Sequence, residues 1–453
     1  MSNKRDQFGS NLGFIMAAAG SAIGLGNIWR FPTVVGQSGG GAFVMLYLLI
    51  ILAIGVPIMI AELSVGRKGQ RSIVGAFSEI IPGTKFRITG ILGTIAGFII
   101  LSFYSVIAGW GLAYIFKFLT GSFAGLDNDA IANVFTDLVT NPFWAIAWHF
   151  IFMTITVSVV IGGIKNGIEK VSKTLMPILF FLLVALAIRS ITLDGAMEGL
   201  AWFLTPDFSQ ITIGTVLSAL GQVFFTLSLG MGAIMTYGTY LSKKENLPKS
   251  AVMISIADLG IAVLAGIIII PAVFAFGLDP DSGPGLIFIT LPAVFGEMPF
   301  GNFFGTLFFV LFSIAAVTSA ISLLEVTVSY FIDELKWSRK KASILAGIAI
   351  FILGIPSALG EGVWSSFTIL GNTFLDFADS LTAVYILPLV GLLTVTFVGW
   401  VWKPENALKH IEEEGNTFSM GKYWAFLVKW ILPIILFYIL ASGIWDSLRE
   451  ILF

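Results

Sequence analysis

Cysteine is absent from this chain of 453 residues, which excludes disulfides and thiolate metal sites. Charge is scarce too: 11% of the residues are Asp, Glu, Lys or Arg, where a soluble domain carries about 25%. The two histidines, His149 and His410, are too few and too far apart for a His-based metal centre. No basic patch is available for nucleic acid. There is no phosphate-cradling Gly-x-x-x-x-Gly-Lys loop, no pair of metal ligands and no nucleophile elbow, so the chain is not read as an enzyme. What is present is 57% hydrophobic and includes 41 phenylalanines. That is the composition of an integral membrane protein.

A spanning helix needs roughly 20 apolar residues. This criterion predicts eleven spans, near 12–36, 41–66, 89–118, 143–162, 167–190, 212–241, 249–277, 300–332, 341–358, 368–402 and 421–452. The connections sort by charge. Arg67, Lys68, Arg71, Lys85 and Arg87 follow the second span, and Lys165, Lys170 and Lys173 flank the start of the fifth. Lys243, Lys244 and Lys249 follow the sixth; Lys336, Arg339, Lys340 and Lys341 follow the eighth. The alternate connections carry Asp127, Asp129, Asp137, Asp279, Asp281 and Glu297. The positive-inside rule therefore puts the N-terminus in the cytoplasm of a cell (plasma) membrane protein. The short polar opening, Met1–Gly9, resembles no cleaved signal peptide. No connection is long enough for a separate domain, so 1–453 reads as a single transmembrane domain.

Within the first span lies Gly20-Ser-Ala-Ile-Gly-Leu-Gly-Asn-Ile-Trp-Arg-Phe-Pro32. Lipid tolerates no unpaired backbone polar groups, so a helix broken at mid-depth must line an enclosed cavity or bind a ligand. Asn27 and Arg30 follow the break, where lipid accepts neither cheaply. The sixth span holds a second interruption, Phe224-Phe-Thr-Leu-Ser-Leu-Gly-Met-Gly232. Glycines that let helices pack closely explain either break taken alone. Together they fall five spans apart, which gives opposite topology to two halves, about 10–190 and 210–402, with an extra helix at 421–452. Paired broken spans of inverted repeats point to a midplane transport site. In the eighth span Ala315, Thr318, Ser319 and Ser322 share one helical face. Their hydroxyls either bond back to the preceding turn or form an oxygen-rich patch suited to Na⁺.

These segments resemble the neurotransmitter:sodium symporter family, in its bacterial branch. The resemblance rests on Gly24 to Pro32, on Gly39-Gly-Gly-Ala-Phe43, on Phe225 to Gly232 and on Asp333-Glu-Leu-Lys-Trp-Ser-Arg339. It implies an all-α polytopic fold of the LeuT type, a 5+5 inverted repeat with helices 1 and 6 broken. It also implies symport of Na⁺ with a substrate by alternating access, in a monomer surrounded by lipid bilayer. Two Na⁺ ions are implied. The first would use the Ala22 carbonyl, Asn27, Thr226 and Asp258, the last standing where the family has an asparagine. The second would use the carbonyls of Gly20, Ile23 and Ala315 and the hydroxyls of Thr318 and Ser319. A substrate carboxylate would meet the Leu25 and Gly26 amides and Tyr104; its ammonium would meet oxygens of Ala22, Phe225, Thr226 and Ser228.

The implied pocket wall is Ile100, Phe225, Met231 and Leu323, which offers no charge. The expected substrate is therefore a hydrophobic L-amino acid, aliphatic or aromatic. Relatives from animals commonly need chloride near the first Na⁺, at positions matching Tyr47, Gln222 and Thr226. A fixed carboxylate at Asp258 would replace it. The implied gates are Arg30 with Asp379 outside, Asp376 lying one turn away, and Arg5 with Asp333 inside, sealed by Phe8 and Tyr240. Glu62 is expected to pin the broken backbones and Glu325 to be solvated at the inner face. Pro177 has no N–H for the Lys173 carbonyl, so the inner end of the fifth span is expected to unwind on release. The same broken helices also suit a gated channel or a non-transporting amino-acid sensor.

Overall fold

The computed structural model describes residues 6–280 and 285–452, with side chains up to residue 445. Arg5 and Asp281 lie outside the described residues. Nine helices among them are long and apolar enough to cross a membrane. In chain order they are span 2 (Gly41–Gly69), span 3 (Arg87–Leu119), span 4 (Pro142–Ile161), span 5 (Ile164–Ile191) and span 7 (Leu247–Ala275). Span 8 (Gly301–Asp333), span 9 (Arg339–Leu359), span 10 (Phe374–Val401) and span 11 (Gly421–Trp445) complete them. Span 1 is a bent pair, Asn11–Ala22 and Gly26–Gln37, turned by 46° at its break. Span 6 is Ile213–Thr226 followed by Ala233–Gly238, each piece too short to cross alone.

Short polar side chains start these helices where the sequence places them. Ser10 accepts from the Gly13 amide at span 1, Asn246 from Lys249 at span 7 and Ser338 from Lys341 at span 9. Each satisfies one of the amides that a helix start leaves without an internal partner. Connections fold into short helices such as Ile73–Ile80, Asn128–Thr140, Ala196–Leu204 and Pro404–Ile411.

Spans 3 and 8 pack together at the centre, and 83% of the apolar stretch of span 8 is buried. Span 11, at 22%, lies at the rim. Large apolar side chains such as Phe143, Phe150, Phe181, Ile434 and Phe437 stay exposed on the outer surface. A bilayer is the solvent that makes such a surface stable. The central position of span 8 carries its hydroxyl face to the break in span 1.

Candidate functional site

The break in span 1 falls at Ile23 and Gly24, where Ile23 leaves the helical region (φ −78°, ψ 96°). Gly24 is required by close approach: a Cβ there would stand 2.3 Å from Ser319 Oγ and 2.8 Å from the Tyr104 hydroxyl. Below it, the Leu25 amide donates to the Tyr104 hydroxyl at 3.2 Å. The break in span 6 is wider than the glycine pair alone suggests. It runs from Leu227 to Gly232, and Ser228, Gly230 and Gly232 all have positive φ, at 54°, 76° and 79°. A Cβ on Gly230 would meet the Leu387 carbonyl at 2.4 Å.

Side chains staple the two breaks together. Ser228 Oγ donates to the Ser21 carbonyl at 2.9 Å, and Gln222 Nε2 donates to the Gly26 carbonyl at 2.7 Å. Glu62 Oε1 accepts the Gly230 amide at 2.8 Å, the pinning role expected of it. Backbone groups freed from helical bonding are thereby held in fixed directions, which is what a polar ligand at mid-membrane needs.

Between the breaks sits a small cavity of about 20 Å³, room for about one water molecule. The expected residues Ala22, Leu25, Gly26, Ile100, Tyr104, Phe225, Ser228, Met231 and Leu323 all line it. Thr226 does not; its hydroxyl turns the other way and donates to Asp258 Oδ1 at 3.0 Å. Sequence reasoning missed Ser21 as a lining residue, and Ser319, assigned there only to sodium, lines the cavity as well. No ionisable carboxylate, lysine or arginine borders the cavity. A bound side chain must therefore be uncharged to avoid the cost of an unpaired buried charge.

Asp258 is fully buried on span 7. It accepts from Asn27 Nδ2 (2.8 Å), from Thr226 (3.0 Å) and from Tyr47 (3.4 Å), while Asn27 also bonds the Gly24 amide at 3.1 Å. Opposite this cluster, Ser319 Oγ donates among the carbonyls of Gly20, Ser21 and Ile23 at 3.0 to 3.3 Å. Thr318 bonds back to the Ala315 carbonyl at 3.0 Å, so both uses of a membrane hydroxyl meet at one place. Among the described residues no three His, Cys, Asp or Glu side chains gather as for a multivalent metal. Carbonyls and hydroxyls with at most one carboxylate suit a singly charged hard cation.

Arg30 and Asp379, the pair expected at the outer side, are not within ion-pair distance of one another. Arg30 stacks over the Phe225 ring at 4.9 Å, and its Nη1 is buried without a hydrogen-bond partner. Arg30 lies within electrostatic reach of Asp379. Asp376 is instead held by Thr373 at the start of span 10, through bonds of 2.9 and 3.2 Å. On the inner side Arg5 lies outside the described residues, and Asp333 accepts the Ser72 amide at 2.5 Å. Phe8 packs against Phe14, Tyr237 and Tyr240.

Glu325 corrects the expectation of a solvated residue. It is fully buried, accepts the Tyr240 hydroxyl at 2.5 Å, and takes both guanidinium arms of Arg339 at 2.7 and 3.1 Å. The inner end of span 5 is helical in this state, opening with a π-helical turn at Ile164–Glu169. Glu169 there accepts from the Gly9 amide, Ser10 and Lys173, which ties span 5 to the segment leading into span 1.

A second inner clasp was not legible in the sequence. Arg67 donates to His410 Nε2 at 3.1 Å, to the His410 carbonyl at 2.5 Å and to the Glu245 carbonyl at 2.6 Å. A guanidinium only donates, so Nε2 accepts, and the proton of the neutral ring sits on Nδ1, 3.4 Å from Glu413. Burial first, then the Arg67 charge, pushes His410 down from 6.5 to about 4. The unfolded ring binds a proton before the folded one does, so this stability is complete above pH 6.5 and falls away toward pH 4. His410→Gln is expected to flatten the decline of the thermal midpoint over that window. An unchanged slope in the variant contradicts this assignment.

The fold and site define a polytopic secondary transporter with two interrupted helices enclosing its binding cavity. The chain belongs to the sodium:neurotransmitter symporter family, whose description matches residues 5–127 and 136–450. It is 42% identical to the sodium-dependent transporter YhdH of Bacillus subtilis (strain 168), over 94% of this chain and 95% of that protein. The crystal structure of MhsT in complex with L-phenylalanine superposes with a TM-score of 0.91 at 46% identity, over 97% of this chain and 100% of that one. The sodium- and chloride-dependent glycine transporter 1 of Xenopus laevis is 25% identical, over 96% of this chain and 78% of its own length. The protein is thus a sodium-dependent symporter and an integral membrane protein, not an enzyme.

Proposed function

We propose that this symporter carries hydrophobic L-amino acids, aliphatic and aromatic, with two Na⁺ ions and without chloride. The observation that carries the reading is the cavity itself: apolar walls from Ile100, Phe225, Met231 and Leu323, no charged lining, and broken backbones above and below. The substrate carboxylate meets the Leu25 and Gly26 amides and the Tyr104 hydroxyl, since freed amides at a half-helix N-terminus favour an anion. Its ammonium meets oxygens of Ala22, Phe225 and Ser228, all of which line the cavity. One Na⁺ lies among Ala22, Asn27, Thr226 and Asp258, the other among Gly20, Ile23, Ala315, Thr318 and Ser319. The likeness to a phenylalanine-bound transporter supports the substrate class.

Arg30 with Asp379 closes the outer side; Asp333 and the Glu325–Arg339 pair close the inner side. A cavity so small must widen to admit a side chain, and Met231 is a deformable wall suited to varied shapes. The lysine- and arginine-rich connections put the N-terminus in the cytoplasm of the plasma membrane, and the monomer, composed of two inverted repeats, is the working unit. Uptake of labelled leucine is expected to persist when chloride is replaced by gluconate, and to be blocked by excess phenylalanine but not by glutamate or lysine. Collapse in gluconate, or saturable competition by glutamate, contradicts the proposal.

A further inference from the structure

At the inner rim, where spans 10 and 11 meet, both helices carry a π-helical turn, Phe397–Val401 and Leu427–Ile431. Such turns displace backbone hydrogen bonds and often mark functional positions. The two backbones come very close: a Cβ on Gly399 would stand 2.9 Å from the Val428 carbonyl. The Lys429 carbonyl accepts the Trp400 indole N–H at 2.9 Å, which fixes that ring across the helix pair. Trp430 meets Trp400 edge to face, with centroids 4.7 Å apart and planes at 85°. The Lys429 ammonium lies over both rings, 5.6 and 5.7 Å from their centroids.

This cation has no carboxylate within ion-pair distance among the described residues, although it sits inside a spanning helix. Charges at such depth are normally paired or face water. Both tryptophans are about half exposed, Trp400 on span 10 and Trp430 on span 11, the least buried of the nine spans. Trp400 is the second-last residue of span 10, so the cluster stands at the membrane–water boundary, where tryptophans collect. From Trp430 the exposed residues Ile434 and Phe437 continue along the same helical face toward the bilayer centre.

We propose that Lys429, Trp400 and Trp430 form a binding site for the phosphate of an anionic glycerophospholipid. The ammonium supplies a charge-assisted hydrogen bond to a phosphate oxygen, and the indole faces hold it in place by cation–π attraction. One acyl chain then lies along Ile434 and Phe437, an advantage that a soluble phosphate lacks. A zwitterionic lipid is disfavoured, because no nearby carboxylate among the described residues receives its own cationic group. The cytoplasmic leaflet follows from the orientation proposed above, whereas retention of the lipid does not depend on it.

The test is native mass spectrometry of the delipidated full chain after exposure to phosphatidylglycerol or phosphatidylcholine. The wild type is expected to retain one more phosphatidylglycerol than Lys429→Gln, and to show no such difference with phosphatidylcholine. Lys429→Arg and the nearby control Lys422→Gln are expected to retain it, and Trp400→Phe to lose most of it while keeping the charge. Millimolar glycerol 3-phosphate is expected not to compete. Equal retention of both lipids, unchanged retention in Lys429→Gln, or displacement by glycerol 3-phosphate overturns the proposal.

Discussion

Replacing Asp258 with asparagine is expected to cut sodium-driven uptake in chloride-free medium by a hundredfold or more, about 2.8 kcal/mol at 1.4 kcal/mol per decade. The carboxylate is fully buried and receives three hydrogen bonds, all from neutral donors: Asn27, Thr226 and Tyr47. No cation of the protein pairs with it among the described residues. Two opposite charges about 4 Å apart attract by about 4 kcal/mol at an effective dielectric of 20. That is ample for the loss, even after part is offset by desolvation. Asparagine keeps the shape and removes the charge. Chloride is expected to restore part of the activity of Asp258→Asn, because the negative charge can then come from solution. Full activity of the variant in gluconate contradicts the role given to Asp258.

The second large effect is at Glu325. Removing one partner of a buried ion pair costs about 3–5 kcal/mol, because the other charge is left uncompensated. Glu325→Gln strands Arg339, whose other carboxylate, Asp6 at 3.5 Å, is more than half exposed and whose bond to the Val160 carbonyl, also at 3.5 Å, carries no opposite charge. The inner closure should loosen, giving a lower thermal midpoint and faster access from the cytoplasmic side. The chain has no cysteine, so Ser329→Cys, which borders a separate cavity lined also by Asp6, Arg71, Tyr240, Asp333 and Arg339, supplies the only thiol to label. Labelling in the Glu325→Gln background is expected to be at least about tenfold faster, a shift of about 1.4 kcal/mol in the opening equilibrium. Joint replacement of Glu325 and Arg339 by apolar residues is expected to recover much of the stability lost in the single variant. Unchanged labelling contradicts a role for this pair in closure.

Features with a length or a period were legible in the sequence. Long apolar runs marked the spans, and glycines marked the break in span 1. Spacings of three and four put Thr318 and Ser319 on the face that meets Gly20 and Ile23. The break in span 6 was only half visible. It begins at Leu227 and includes Ser228, a non-glycine residue at positive φ that bonds the Ser21 carbonyl, which glycine spacing cannot reveal. Glu325 was misjudged because its partner Arg339 lies beyond the turn that ends span 8. A charged residue near a helix end looks solvated until the chain folds back. The clasp of Arg67, His410 and Glu245 joins residues up to 343 positions apart, so only tertiary structure brings it together.

The central claim is that the two breaks and the cavity between them couple Na⁺ to a hydrophobic amino acid. Counterflow in proteoliposomes preloaded with unlabelled leucine tests it most directly. Accumulation of labelled leucine and tryptophan is expected with Na⁺ outside and not with K⁺. Accumulation that is equal in Na⁺ and K⁺, or binding of leucine with no accumulation in either, contradicts the account.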